Sequence, residues 1–208
     1  YREGHRVVVS FSGGKDSTCV LEVCVIAATR TGRLPVEAAV RDEEVGWPGH
    51  YEYVERVAQR SDVELTWVVA GEPHSLCYDR RCPFWWSFDD RVPSAYWVRH
   101  PDMATVTFDQ AITIEAMVTK ERYPPPDGRD LVSPIGIRAA ESAVRKLGVH
   151  SMGGHLSGPR RNGVRSAWPI YDWQERDVWL AIRELGWDYA GKADGDGYDG
   201  LMRAGFKG

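Results

Sequence analysis

The sequence predicts an α/β fold, an open, mostly parallel, twisted sheet with helices on both faces. Three observations carry that reading. Apolar runs of strand length alternate with stretches at helical spacing along most of the 208 residues. A small-residue turn, Ser12-Gly13-Gly14-Lys15-Asp16-Ser17, joins an apolar run at 7–11 to a helix-length apolar stretch at 18–28. A second strand-to-helix junction, Gly136-Ile137-Arg138-Ala139-Ala140-Glu141-Ser142, repeats the arrangement in the second half. Such alternation implies parallel pairing, because each crossover must carry the chain back to the same edge of the sheet.

The elements follow in order. Residues 7–11 read as a buried parallel strand and 18–28 as the helix after it. A second strand at 34–40 runs into the acidic cluster Asp42-Glu43-Glu44. Residues 51–60 carry Val54, Val57 and Ala58 at helical spacing, and 63–69 alternate as a third strand. Residues 71–108 break the pattern with Pro73, Pro83, Pro93 and Pro101 and the aromatics Trp85, Trp86, Phe88, Tyr96 and Trp97. They are expected to be an irregular, lid-like insertion with short helices over the sheet edge. A helix at 109–122 is stopped by Pro124-Pro125-Pro126. A strand at 130–137 leads to a helix at 139–147 that Gly148 ends. Asp172 and Glu175 make a capping-box-like start to a helix at 173–185, which Gly186 ends. One domain is expected over 1–208, with a flexible acidic tail at 190–208.

Composition removes several classes. The net charge of −4 argues against a general nucleic-acid binder, whose affinity rests on Lys and Arg neutralising phosphates. No run of 18 apolar residues is present, so no membrane partner is expected. The four cysteines are Cys19, Cys24, Cys77 and Cys82. The first two fall in a helix as buried thiols, and the C-x4-C spacing of the others suits neither a zinc ribbon nor a redox pair. Reduced thiols and a cytoplasmic location are expected.

The first turn carries the chemistry. Its glycines let a ligand approach the backbone, amides at the helix start point outward, and Lys15 adds a charge, so phosphates belong there. The spacing is neither G-x-x-x-x-G-K-[ST] nor G-x-G-x-x-G, so neither γ-phosphoryl transfer nor a dinucleotide site is indicated. Arg138 falls at the carboxyl edge of the sheet, where ligands of open α/β folds bind, and a planar guanidinium suits an anionic oxygen pair.

Ser-Gly-Gly-Lys-Asp-Ser resembles the signature of the ATP pyrophosphatases. Together with Gly-Ile-Arg-x-x-Glu-Ser and with Trp168-Pro169-Ile170-Tyr171-Asp172-Trp173 followed by Asp177-Val178-Trp179, it resembles the phosphoadenosine phosphosulfate reductase-like branch of that family. The stand-alone ATP pyrophosphatases of DNA phosphorothioation systems are the nearest type. The resemblance implies a Rossmann-like sheet of the adenine nucleotide alpha-hydrolase type. It also implies cleavage of ATP to pyrophosphate and an adenylyl intermediate that activates a substrate for sulfur transfer. ATP and Mg²⁺ are the implied cofactors. A sulfur-donor protein such as a cysteine desulfurase is the implied partner, with DNA reached through partner subunits.

Residue by residue, the resemblance implies that Ser10, Ser12, Gly13, Gly14, Lys15, Asp16, Ser17, Asp42, Gly136 and Arg138 surround the nucleotide. Lys15, Asp16 and Arg138 are the catalytic candidates, and Asp16 is the Mg²⁺ candidate. Trp173 and Asp177 brace the last helix. Asp-Glu-Glu at 42–44 departs from the reductases' Asp-Thr-Gly, and no cysteine follows Cys82, where those enzymes keep a catalytic one. A phosphoadenylyl-sulfate or adenylyl-sulfate reductase therefore stands as an alternative, as does a non-catalytic nucleotide-binding assembly subunit.

Three further stretches invite functional readings. Arg160, Arg161 and Arg165 lie on a glycine-flanked loop that could close over the triphosphate, or could simply be a solvated basic loop. Cys77 and Cys82 are candidates for a sulfur relay, and with His74, His100 or His155 for a zinc site. The insertion's aromatics could stack on a base or fill a core. The Asp-Gly run at 194–200 lacks the glycine and glutamate that a calcium loop requires.

Overall fold

Eight strands form among the described residues of the computed structural model: β1 (Arg6–Ser10), β2 (Val36–Asp42), β3 (Val63–Ala70), β4 (Glu72–Ser75), β5 (Phe84–Ser87), β6 (Val106–Phe108), β7 (Leu131–Pro134) and β8 (Val164–Ala167). Six of them make one sheet in the order β6-β3-β2-β1-β7-β8, and every pairing in it is parallel. The fold is α/β and Rossmann-like. The structure describes residues 1–75, 80–81, 84–108, 117–160 and 163–191. Most of the expected helix at 109–122, most of the tail, and Cys77, Cys82 and Arg161 lie outside them.

The order of the strands decides where a ligand can sit. From β1 the chain steps outward through β2, β3 and β6, then returns to the other side of β1 for β7 and β8. The direction of winding reverses between β1 and β7. At such a switch point the two connecting loops part, leaving a crevice at the carboxyl ends of the strands. The turns that leave β1 and β7 are those singled out by the sequence.

Strand alternation sends side chains to two cores. Val9, Ala38, Val40, Trp67 and Val69 pack with helices α1 (Lys15–Thr31), α2 (His50–Ala58) and α4 (Glu175–Glu184) on one face. Val8, Ala39, Val68, Leu131 and Val164 pack on the other face, closed by Met117, Val118 and Tyr123. Helix α1 stops because Gly32 adopts a left-handed φ of 66°, which lets the Arg33 N–H reach the Ala28 carbonyl at 2.9 Å.

Several elements differ from expectation. Residues 106–108 are a strand of the main sheet rather than insertion, and β4 and β5 form an antiparallel hairpin. Strand β2 starts at Val36 and runs on through Arg41 and Asp42, because both polar side chains find partners. Residues 139–141 form a 3-10 turn; helix α3 (Ala143–Ser151) begins after it, where the Ser142 hydroxyl accepts the Arg145 N–H at 3.1 Å, and runs through Gly148. Helix α4 starts at Glu175, with Gln174 and Asp177 forming its capping box in place of Asp172 and Glu175.

Candidate functional site

The turn after β1 is shaped by its glycines and held by its serines. Gly13 takes a φ of 73°, which an L side chain rarely adopts. The Ser17 hydroxyl donates to the Gly14 carbonyl at 3.0 Å, lies 3.0 Å from the Ser12 hydroxyl and accepts the Ser12 N–H at 3.2 Å. Gly14 caps α1 with no side-chain hydrogen bond, so the first amides of this 17-residue helix have no capping side chain.

Gly136, in the turn after β7, lies directly on this first helical turn. A Cβ built on it would lie 2.8 Å from the Ser17 nitrogen and 2.9 Å from the Asp16 carbonyl carbon. Only glycine permits that approach. Ser10 and Ser133, at the ends of β1 and β7, bring their hydroxyls to 2.8 Å and tie the two strands beneath the crevice.

Arg138 follows two residues later and is 4% exposed. Its Nε donates to Asp16 Oδ1 at 2.6 Å, and Asp16 Oδ2 lies 3.5 Å from Lys15 Nζ. Arg138 therefore braces the loop from behind rather than facing the cleft, and Asp16 is the hinge of the Lys15–Asp16–Arg138 cluster. Both Asp16 oxygens already face cations, so this carboxylate does not fit direct Mg²⁺ ligation. Among the described residues no three His, Cys, Asp or Glu side chains gather as a metal site.

The resulting cleft has a volume of about 780 Å³, within the range of small-ligand sites. Ser10, Ser12, Gly13, Gly14, Lys15, Asp16, Ser17 and Gly136 line it. Arg41, Glu43, Trp47, His50 and Tyr51, from the end of β2 to the start of α2, form the opposite wall, and Trp179 and Tyr189 close one side. Glu43 and Trp179 belong to stretches the sequence singles out for other reasons; Arg41, Trp47, His50, Tyr51 and Tyr189 carry no such signal. The signal available was topological: the loop after β2 must adjoin the loop after β1 at the same sheet edge.

Asp42 is placed at that edge but used differently. It is 1% exposed, accepts the Trp67 indole N–H at 2.8 Å and the Glu44 N–H at 2.9 Å, and pairs with Arg99 of the insertion. The Arg99 guanidinium also lies 3.9 Å over the Tyr51 ring. Glu44 accepts the backbone N–H groups of Phe88 and Val98. Asp42 and Glu44 thus fasten the insertion down. Of the insertion's aromatics, Trp85 stacks on His74 at 4.7 Å, Trp97 lies edge-on to Phe88 at 5.5 Å with both on the main core, Tyr96 is exposed, and none lines the cleft.

The basic loop goes elsewhere. Val164 and Ser166 are buried, and Arg165 pairs across from Val132 in β8. The Arg165 side chain donates to Asp130 Oδ2 at 3.0 Å and to the Ser157 carbonyl at 2.8 Å. Arg160 sits in the turn entering β8, its N–H on the Val164 carbonyl. Both lie at the amino edge of the sheet, the end opposite the turn after β1. Replacing Arg165 by Ala is expected to leave the affinity of the cleft for its ligand within about 2-fold, measured by titration calorimetry.

No known protein-family profile matches the chain. It is 27% identical over 192 residues to the uncharacterized protein YbdN of Escherichia coli (strain K12), covering 84% of this chain and 46% of that protein. The chain thus spans about half the length of this relative. Among solved structures, phosphoadenylyl-sulfate (PAPS) reductase from Candida auris in a phosphate complex aligns with a TM-score of 0.49 and 15% identity, over 98% of this chain and 79% of that one. FMN adenylyltransferase from Candida glabrata, in complex with FMN and an ATP analogue, aligns at 0.48 and 14% identity, over 84% and 46%. Yeast FAD synthetase in complex with FAD aligns at 0.48 and 14% identity, over 89% and 52%.

Proposed function

We propose that the cleft binds ATP and that the protein is an ATP pyrophosphatase, in which the α-phosphorus is attacked and pyrophosphate leaves. The observation that carries this reading is the packing of Gly136 onto an uncapped α1 N-terminus, which presents amides and Lys15 together to a cleft at the switch point. Amides held rigidly cost no reorganisation as charge builds on the leaving pyrophosphate, and Lys15 adds a full charge beside them. Arg138 holds Asp16, and through it Lys15, in register. Mg²⁺ enters with ATP as part of the substrate, on its phosphate oxygens.

The three motifs favour an acceptor activated for sulfur transfer, with a persulfide on a donor protein as the sulfur source and DNA, presented by partner subunits, as the acceptor. A reductase needs a reactive thiol instead. The cysteines among the described residues, Cys19 and Cys24, are buried, and burial pushes both thiols up to about 12. Such thiols carry almost no thiolate at neutral pH and are poor nucleophiles.

Product analysis tests the proposal. Incubation with ATP and Mg²⁺ is expected to yield AMP and pyrophosphate, whereas ADP and orthophosphate would contradict it. Replacing Lys15 by Ala is expected to slow pyrophosphate release by about 10²-fold or more, the loss typical of one preorganised charge-stabilising group.

A further inference from the structure

His50 is the first residue of α2 and lies in the wall facing the phosphate loop. A methyl group on Gly13 would lie 2.5 Å from its Cε1 and 3.1 Å from its Nδ1, so the imidazole rests directly on the loop backbone. The ring is held from its own side. Its backbone N–H donates to the Trp47 carbonyl at 2.9 Å, and the Tyr51 ring stands edge-on at 4.8 Å. The imidazole is partly buried, and among the described residues its nitrogens make no hydrogen bond and stay open to solvent.

We propose that His50 is a second phosphate-binding residue, donating a hydrogen bond from its imidazole to the nucleotide's phosphate chain from the wall opposite Lys15. This rests on the reading of the cleft as a nucleotide site. The charges around the ring are Asp42 and Glu43 at the end of β2, Glu52 on its own helix and Arg99 from the insertion, with Lys15 and Asp16 on the loop it packs against. Burial is the largest influence and lowers the imidazole below its usual range, favouring the neutral ring in the absence of ligand. A bound polyanion reverses the balance by favouring the charged form. The sign follows: protons are taken up on binding, and affinity rises as pH falls from the bound-state pKa towards the free-state pKa.

The test is titration calorimetry of α,β-methylene-ATP into the full chain from pH 8 to pH 6, in buffers of different ionisation enthalpy, with His50→Gln and His50→Asn beside the wild type. The variants remove the titrating ring, so the titration of the nucleotide's own phosphates cancels in the comparison. The wild type is expected to gain severalfold more affinity than either variant over this range and to take up protons that the variants do not. Parallel pH profiles with equal proton uptake would overturn the role of His50 while leaving the nucleotide site standing. Absence of binding in wild type and variants alike would overturn the nucleotide reading, and this inference with it. Should both variants fail to fold, the wild-type uptake decides alone: none beyond that of the nucleotide's own phosphates overturns the role.

Discussion

Replacing Gly136 by Ala is expected to abolish nucleotide binding and to destabilise the fold. The added methyl meets backbone, not a side chain that can swing away: 2.8 Å to the Ser17 nitrogen and 2.9 Å to the Asp16 carbonyl carbon. Relief requires either the β7 turn or the first turn of α1 to retreat by several tenths of an ångström. The first movement opens the crevice, and the second tilts the amides that would face phosphate. Overpacking of this kind costs about 1–3 kcal/mol of stability. Affinity is expected to fall further than stability, by at least about 10²-fold, since misplacement by even an ångström is severe at a preorganised site. Thermal unfolding and an ATP titration on the same preparation separate the two losses. An alanine variant that binds ATP normally would show that the two turns do not act as one device.

Replacing Arg138 by Ala removes the brace and leaves Asp16 with Lys15 alone. With Arg138 4% exposed and its Nε 2.6 Å from Asp16, the pair is close to a buried ion pair. Removing one partner of such a pair costs about 3–5 kcal/mol. The lower end applies here because Lys15 still compensates the carboxylate at 3.5 Å. Lys15 is then drawn toward Asp16 and away from the cleft, so pyrophosphate release falls together with stability. Arg138→Lys is expected to recover part of the stability and little of the activity. A single ammonium cannot hold Asp16 through Nε while its other end faces Glu141, as the guanidinium does here. Denaturant melts and product release assays on both variants check this.

The parts of the molecule legible in the sequence are those written in local patterns. The strand–turn–helix around Ser12–Ser17 could be read because two glycines and a lysine between apolar runs leave few alternatives. The Gly136–Ser142 junction could be located for the same reason, though not the fact that Arg138 would point behind the loop. That depends on the packing of β7 against β1, a contact between residues more than a hundred positions apart.

Strand β8 was hidden because Val164–Ala167 is short and sits beside three arginines. Its register is set by pairing with β7 and by the Arg165–Asp130 ion pair, neither of them local. Asp42, at the head of the acidic run 42–44, reads as a residue near the nucleotide. The run's real partners, Trp67, Arg99 and the backbone of 88 and 98, come from three other segments. His50 escaped notice because a histidine after Pro48-Gly49 has no motif. Its meaning appears only when β2 is laid beside β1 and the two loops face each other. Long-range polar pairing, rather than helix or strand propensity, accounts for most of what could not be read in advance.

In an ATP pyrophosphatase of this design, the turn after β1 holds the triphosphate so that its innermost phosphorus becomes the electrophile. A crystal structure of the protein with α,β-methylene-ATP tests it most directly. The account predicts the β- and γ-phosphates on the amides of residues 13–17, with Lys15 beside them and the α-phosphorus facing the open part of the cleft. A nucleotide that leaves this turn empty, or that turns only its terminal phosphate toward the open cleft, would contradict it.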